Sequence, residues 1–553
     1  MGSFDPGPAS AGALELARAA GLSFTVADAL YRRGSRAGDA LERWLEPKLS
    51  HLTAPHAMAD LEAAAERIAR AIRAREQICV FGDYDCDGIT ACAILTEAIG
   101  ALGGTVTPLL ASRFAGGYGL SAPALARVRD TQCTLLVTCD CGSTDHARLD
   151  DARRAGIDAV VIDHHLVPDD PLPAVAFLNP HRSECGFPFK GLSSCGLALI
   201  VTTALRKKLA AELDVRRWLD LVAIGTIADV APLEGDNRAL VRAGLRALDA
   251  GARVGLRALA IQGAGGRRLP VSAEDIAYQV APRLNAPGRL GDPRLALDVL
   301  LERDSTRAWT MAERIDALSA ERRQLQRAIT KEALVQAANF ESDPAIVVAS
   351  DRWHIGIVGI VAGRLADQLG RPAIVIALEG RTGRGSARAP SGYRLYDALA
   401  ACRDTLLGFG GHQVAAGLEI ESEQLSAFRD AFNKACATQQ SQRVPSRRDA
   451  DVALDERDDL TAVVDDLERL EPCGHANPAP RILVRDADVT GTRVFGDHLK
   501  LDLAWNGHRL PAFAPDRGHL EPSLARRLSL IGRLKRDHFS GAPAELLVDW
   551  LPD

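Results

Sequence analysis

The sequence predicts a multidomain α/β protein in which a parallel-sheet domain, a long linking helix, a second α/β domain and a C-terminal β-barrel follow one another. Three observations predict it. The chain has 553 residues, more than one hydrophobic core organises, so roughly three or four domains are expected. Short apolar runs alternate with helical stretches in the first half and again after the middle, the pattern of parallel strands joined by helices. Between them, residues 308–339 contain no Gly or Pro and carry Met311, Ile315, Leu318, Leu325, Ile329 and Leu334 on an amphipathic helix, expected to join two lobes.

Taken in order, residues 1–50, with Leu14, Leu16, Ala17, Ala20, Leu30, Leu41 and Trp44, read as short helices appended to the main body. The main domain is expected over 51–307. Leu61, Ala64, Ala65, Ile68, Ala69 and Ile72 predict a helix over 57–75, and residues 77–81 a short buried strand. Further strands are predicted at 134–138 and 159–162, with a helix over 144–155 between them. The linking helix is bounded at 308–340 and the second α/β unit at 341–437. That unit has strands at 345–348 and 373–376 and a helix starting near Gly356, and its pattern ends near Ile420. The polar stretch 438–446 marks a boundary. Short apolar runs at 481–484, 498–503 and 528–531 then suit a small barrel over 447–553.

Composition narrows the class. With 47% hydrophobic and 25% charged residues the chain reads as globular. It lacks an apolar run long enough to span a membrane, and Met1-Gly2-Ser3-Phe4-Asp5-Pro6 lacks the basic and apolar regions of a signal peptide, so a cytoplasmic protein is expected. The 11 cysteines are odd in number and scattered in apolar contexts such as Cys79, Cys92, Cys133 and Cys402, which suits a reducing compartment. Cys139 and Cys141 flank Asp140, and a structural role is favoured there over zinc because no second cysteine pair completes four ligands. A net charge of −6 argues against indiscriminate coating of nucleic acid, without excluding a local basic groove.

The chemistry concentrates where apolar runs end. Asp83-Tyr84-Asp85-Cys86-Asp87-Gly88 follows the first strand and opens a helix over 89–99. Three carboxylates this close repel one another, and a divalent cation is the natural compensation, although acidic turn and cap residues are the plainer alternative. Asp140 ends the second run. Asp163-His164-His165 follows the third, where adjacent imidazoles offer metal ligands or a phosphate-facing donor. Asp229 follows the apolar run 221–228, read as a fourth strand end. In open parallel sheets ligands bind beyond the carboxyl ends of the strands, so these side chains should converge.

In order and spacing these motifs resemble the DHH phosphoesterase superfamily. The resemblance implies two divalent ions, Mn2+ or Mg2+, held by Asp85, Asp87, Asp140, His164 and Asp229, with Asp140 as the bridge. Asp83 and His165 stand as further candidates in the catalytic set, and Asp163 as the residue that orients the histidines. Ions about 4 Å apart activate a water and stabilise the leaving oxygen of a phosphodiester. Segments 112–120 and 282–289 resemble RecJ-type motifs that frame a DNA channel, and 353–359, 383–388 and 410–412 resemble the DHH-associated domain. The DNA-binding candidates carried by these motifs are Arg113, Tyr118, Arg283, Asn285, Arg289, His354, Arg384, Ser386, Arg388 and His412. Without any family, Gly-rich turns expose amides to anions and Arg384 and Arg388 supply forked donors. Two departures stand out: Cys86 where a smaller residue is usual, and Pro287 inside the Asn-Ala-x-Gly-Arg motif. Neither removes a ligand.

The implied function is a single-stranded-DNA-specific 5′→3′ exonuclease releasing 5′ mononucleotides in DNA repair and recombination. The terminal barrel would then be OB-like and bind unpaired DNA by stacking along a basic track. A single-stranded-DNA-binding protein is the implied protein partner. A DHH phosphodiesterase acting on short oligonucleotides or cyclic dinucleotides is the nearest alternative, and such relatives lack the helical start and the barrel. A family II pyrophosphatase fits less well, because Phe81 stands where an early histidine ligand would be. An inactive DNA-binding protein of the same fold is disfavoured by the retained ligands.

Overall fold

The computed structural model describes residues 5–251, 253–263, 271–390, 392–411, 413–439 and 450–551. Its first sheet comprises β1 (Gln77–Gly82), β2 (Thr105–Leu110), β3 (Leu135–Cys139), β4 (Asp158–Ile162) and β5 (Ala176–Leu178). They pair in parallel in the order β2-β1-β3-β4-β5. Strands buried on both faces read as continuous apolar runs, which is why β1, β3 and β4 were plain in the sequence. This order has its switch point between β1 and β3, where crossovers leave the sheet in opposite directions and open a crevice at the strand ends.

The fourth strand end is a correction. The run before Asp229 is a helix, Leu219–Ala228, with Asp229 at its C-terminal cap. All but one of its residues are buried, and an eight-residue apolar run carries no periodicity to separate a buried helix from a buried strand.

The linking helix, Ser305–Ala337, has 33 residues and starts on the Asp304 side chain, which accepts the Arg307 amide. Ala312 and Ile315 near its start belong to the core of the first domain. Ile329, Ala333 and Ala337 near its end belong to the core of the second lobe. One element thus sits in two cores and sets the spacing between them.

The second lobe is a sheet in the order β6-β7-β8-β10-β9, with β6 (Ile346–Ser350), β7 (Ala373–Glu379), β8 (Thr382–Arg388), β9 (Gly408–Gly411) and β10 (Ala415–Glu421). Only β6 and β7 run parallel. Helix Ile355–Leu369 covers one face. The lobe does not end near Ile420: helix Leu425–Ala437 covers the other face and buries Phe428 and Phe432 completely.

The C-terminal strands β11 (Val452–Ala453), β12 (Ile482–Phe495), β13 (His498–Trp505), β14 (His508–Ala514), β15 (Arg527–Arg536) and β16 (Ala544–Trp550) form a barrel. The order β12-β13-β14-β16-β15 closes through β12–β15 pairing, leaving β11 as an outlier on β12. The N-terminal helices Ala13–Ala20, Phe24–Arg32 and Asp39–Leu45 are not a free appendage. Leu16, Val26, Leu30, Leu41 and Leu45 share one core with Val463, Leu467, Leu501 and Leu546 of the barrel region. Among the described residues no helix is long and apolar enough to cross a membrane.

Candidate metal centre and nucleic-acid channel

The parallel ladder continues one residue past each strand and draws the acids together. The Asp83 amide donates to Cys139 O at 3.2 Å, the Asp140 amide to Ile162 O at 3.0 Å and the Asp163 amide to Leu178 O at 3.0 Å. Asp140 has φ of 63°, a left-handed backbone that a non-glycine residue holds only when its surroundings fix it. Tyr118 helps, its hydroxyl donating to Asp140 O at 3.1 Å.

Asp85 caps helix Cys86–Ala101, accepting the Asp87 and Gly88 amides. That cap turns Asp87 inward, where its carboxylate accepts the Ser194 amide at 2.6 Å and the Cys195 amide at 2.9 Å. Helix Leu219–Ala228 passes this point at Gly225, where a Cβ would lie 2.4 Å from Thr90 Oγ1 and 2.9 Å from Asp87 Oδ1. The glycine permits the approach that delivers Asp229.

Five aspartates and two histidines meet in three overlapping donor groups: Asp83, Asp85 and Asp140; Asp140, His164 and His165; Asp87, His164 and Asp229. Within each, the donor atoms lie within 4.8 Å of one another. His164 Nε2 faces Asp140 Oδ1 at 3.2 Å, Asp229 Oδ2 at 3.7 Å and Asp87 Oδ2 at 3.8 Å. Despite the shortest distance it has hydrogen-bond geometry to none of them and is buried without a hydrogen-bond partner, as is the Asp83 Oδ1 oxygen. An imidazole aimed among carboxylates without a shared proton is placed as a cation ligand, so the residues fit a divalent metal.

The electrostatics agree. Burial and the neighbouring carboxylates of Asp85, Asp87 and Asp229 push the Asp140 carboxyl well above its usual range. Burial and Asp85 do the same to Asp83. Burial with Asp87 and Asp85 takes Asp229 up to about 9. Such mutual repulsion is what a bound cation relieves. Asp163 differs: burial would raise it, but hydrogen bonds from His165 and Ser143 hold it low. Its carboxylate accepts the Ser143 amide at 3.0 Å and the His164 amide at 2.8 Å, and meets His165 Nδ1 at 2.8 Å. Burial would lower His165, yet this pairing raises it to about 9. Asp163 thus holds the main-chain amides of His164 and His165 and the ring of His165 from behind.

Across the crevice, Arg384, Ser386 and Arg388 alternate along β8 and so share one face. Arg388 Nη1 donates to Ser386 Oγ at 2.9 Å and to Ala387 O at 2.8 Å. Burial, and then Arg113, lower its pKa. Arg113 lies 4.2 Å over the Tyr84 ring with its Nε buried and unpartnered. Arg289 is lowered to about 10 by burial and by Arg113, Arg322 and Arg388. It reaches Gly356 O at 3.3 Å, and a Cβ on Gly356 would strike Arg289 O at 1.8 Å. Half-buried guanidiniums that repel one another are an arrangement that an anion would relieve.

The remaining candidates divide. His354 caps helix Ile355–Leu369, its Nδ1 accepting the Gly356 amide at 3.1 Å, and packs edge-on to Phe114 of the first domain. Asn285 holds a buried, unpartnered Oδ1. Arg384 is exposed. Tyr118 sits against the acid and histidine cluster, its hydroxyl also meeting His165 Nδ1 at 3.1 Å. Arg283 is a correction: it is buried, pairs with Asp316 of the linking helix at 2.9 Å and donates to Gln279, leaving no free edge for a phosphate. His412 lies outside the described residues. Sequence reasoning missed the Ser194 and Cys195 amides, which no motif marks.

This sheet, its acid and histidine cluster and the facing arginine lobe define a DHH phosphoesterase fold. The family model "DHH family, N-terminal domain" matches residues 77–226, "DHHA1 domain" 342–438 and "RecJ OB domain" 449–546. The chain is 33% identical over 519 residues to the single-stranded-DNA-specific exonuclease RecJ of Bacillus subtilis, covering 92% of this chain and 65% of that protein. It is 37% identical over 424 residues to the protein of the same name from Dickeya dadantii, covering 72% and 73% respectively. A crystal structure of RecJ from Thermus thermophilus in complex with Mn2+ superposes with a TM-score of 0.82 at 31% identity, covering 99% of this chain and 78% of that one. The chain belongs to the RecJ family. It spans about two thirds of the length of the Bacillus relative.

Proposed function

We propose that the protein is a metal-dependent exonuclease that degrades single-stranded DNA from its 5′ end and releases mononucleotides. The observation that carries this reading is the carboxylate-imidazole cluster at the strand ends of the first sheet, with Arg113 and Arg289 of the same domain and Arg388 of the second lobe close enough for their charges to act on one another. The relatives' names, single-stranded-DNA-specific exonuclease, support it.

Two divalent ions would be held by Asp85, Asp87, Asp140, His164 and Asp229, with Asp83 and His165 beside them; Asp140 and His164 each belong to two of the three donor groups. When bound, the ions supply an activated water and charge stabilisation for the leaving oxygen. Asp163 keeps the histidines oriented. Ser386 and Arg388 hold the terminal phosphate, with Arg113 approaching from the first domain and Arg289 beside them. A terminal phosphate carries more charge than an internal one, so the forked donors select an end. The closed barrel offers unpaired strand a second surface. A single-stranded-DNA-binding protein is the protein partner this reading adds.

Strands labelled separately at the 5′ and 3′ ends and incubated with Mn2+ test it. Release of labelled mononucleotide from the 5′ end, with the 3′-labelled product shortening gradually, is expected. Mononucleotide release from the 3′ end, or no cleavage that a chelator abolishes, refutes it.

A further inference from the structure

The cluster contains one contact that the seven donor residues do not explain. Ser194, the first residue of helix Ser194–Lys208, is completely buried, and its hydroxyl donates to Asp140 Oδ1 at 3.1 Å. The same residue's amide donates to Asp87 Oδ2 at 2.6 Å and the next amide, Cys195, to Asp87 Oδ1 at 2.9 Å. Ser193, at the N-cap, caps nothing with its side chain: its hydroxyl meets Cys195 Sγ and Thr226 Oγ1, each at 3.1 Å. The helix start is therefore capped by Asp87, a carboxylate from another element.

We propose that Ser194 is a positioning residue of the metal centre, its hydroxyl fixing the Asp140 carboxylate and its amide the Asp87 carboxylate so that both are preset for a divalent cation. The inference rests on the metal-site reading above. Its physical content concerns Asp140. That residue has a strained backbone, held by the Ile162 carbonyl and the Tyr118 hydroxyl. Neither contact restrains its side chain, and His164 Nε2 lacks hydrogen-bond geometry to it. Ser194 Oγ is the hydrogen-bond donor to the Asp140 carboxylate among the described contacts. Without it, the carboxylate that serves both sides of the cluster is free to rotate away from its neighbours, and ordering it becomes part of the cost of binding metal. Groups that orient ligands in this way typically change metal affinity by about 10- to 100-fold when removed.

The test is a Mn2+ titration of the full chain followed by the free-ion electron paramagnetic resonance signal, on wild type, Ser194→Ala, Ser194→Gly and Asp140→Asn. Both Ser194 variants delete the hydroxyl and keep the amide, and glycine serves if the alanine variant unfolds. The expected result is an affinity about 10-fold weaker for either folded Ser194 variant, with the metal-free melting temperature close to wild type, and a larger loss for Asp140→Asn. A folded Ser194 variant that binds Mn2+ within a factor of about two of wild type overturns the positioning role while leaving the metal site standing. Wild type that binds no Mn2+ overturns the metal-site reading itself, and the proposal with it.

Discussion

Asp83, Asp140 and Asp163 were legible because each follows a buried strand in a parallel sheet, where geometry makes strand ends converge. Asp229 was found as a residue but misplaced as an element, and Ser194 was invisible because its contribution is a hydroxyl and an amide whose partners lie 54 and 107 residues away in the chain. Arg283 was misjudged for the opposite reason, since a motif cannot show that Asp316 already occupies its guanidinium. At this scale two predictions follow from charge. Asp140→Ala or His164→Ala should reduce cleavage to background while the melting temperature stays within a few degrees, because Asp140 is one of several mutually repelling carboxylates, His164 Nε2 makes no hydrogen bond, and neither residue belongs to an apolar core. Near-wild-type turnover by either variant at saturating Mn2+ would reject the assigned site. Arg388→Ala should slow hydrolysis of 5′-phosphorylated strands by about 10- to 100-fold, the worth of a charged hydrogen bond, and leave 5′-hydroxyl strands nearly unaffected. Equal discrimination between the two ends in variant and wild type would remove Arg388 from the pocket.

Elements were easiest to read where one periodicity held. The linking helix and the three central strands of the first sheet emerged with ends shifted by only a few residues, whereas fully apolar segments gave no period to decide between helix and strand. What no local pattern reveals is which element packs on which. The N-terminal helices share their core with the barrel, hundreds of residues away. Leu30, 2% exposed, lies in that core. Leu30→Ala should cost about 2–5 kcal/mol and, in hydrogen exchange, accelerate β13 and β16 along with its own helix while sparing β1 and β3. Faster exchange confined to the N-terminal helices would show that the shared core is not cooperative. Helix Cys86–Ala101 has its own half-buried tie, Glu97, which pairs with Arg253 at 2.9 Å and accepts from Trp218 at 2.7 Å. Burial would raise Glu97, but Arg253 holds it below the ordinary 4.5. A depressed carboxyl stabilises above its unfolded value and loses that contribution as pH falls through its folded value. Glu97→Gln should thus be less stable than wild type near neutrality, by less than the loss of a lone pair because Asp220 still meets Arg253 at 3.2 Å, with the gap narrowing as pH drops below 4.5. A gap that stays constant down to complete acid unfolding would mean the pair contributes through shape alone.

For the whole molecule, the decisive question is what holds the barrel against the catalytic domain, since a net charge of −6 supplies no general attraction for DNA and binding must come from placed surfaces. The structure answers with Arg238, 1% exposed, on helix Gly235–Asp249 of the first domain. Its guanidinium lies 3.9 Å over the Trp44 ring and donates to the main-chain carbonyls of Trp44, Arg469, Leu470 and Pro472. Arg242 adds bonds to Leu45 O and Arg469 O. Among the described residues no carboxylate bonds to Arg238, and burial brings it down to about 10, so the charge is kept for geometry: one fork joins the first domain, the N-terminal helices and the segment that enters the barrel. If a strand is held at the crevice and on the barrel together, its affinity depends on the two surfaces keeping a fixed separation, and losing that separation costs avidity without touching the chemistry. Arg238→Ala should therefore weaken binding of long single strands by about 10- to 100-fold and leave the hydrolysis rate of strands too short to leave the crevice close to wild type. Fluorescence anisotropy on long and short labelled strands, beside single-turnover rates on the short ones, measures both. Undiminished affinity for long strands would mean the barrel holds DNA independently of its mounting, and an equal loss on short strands would mean that Arg238 supports the crevice itself.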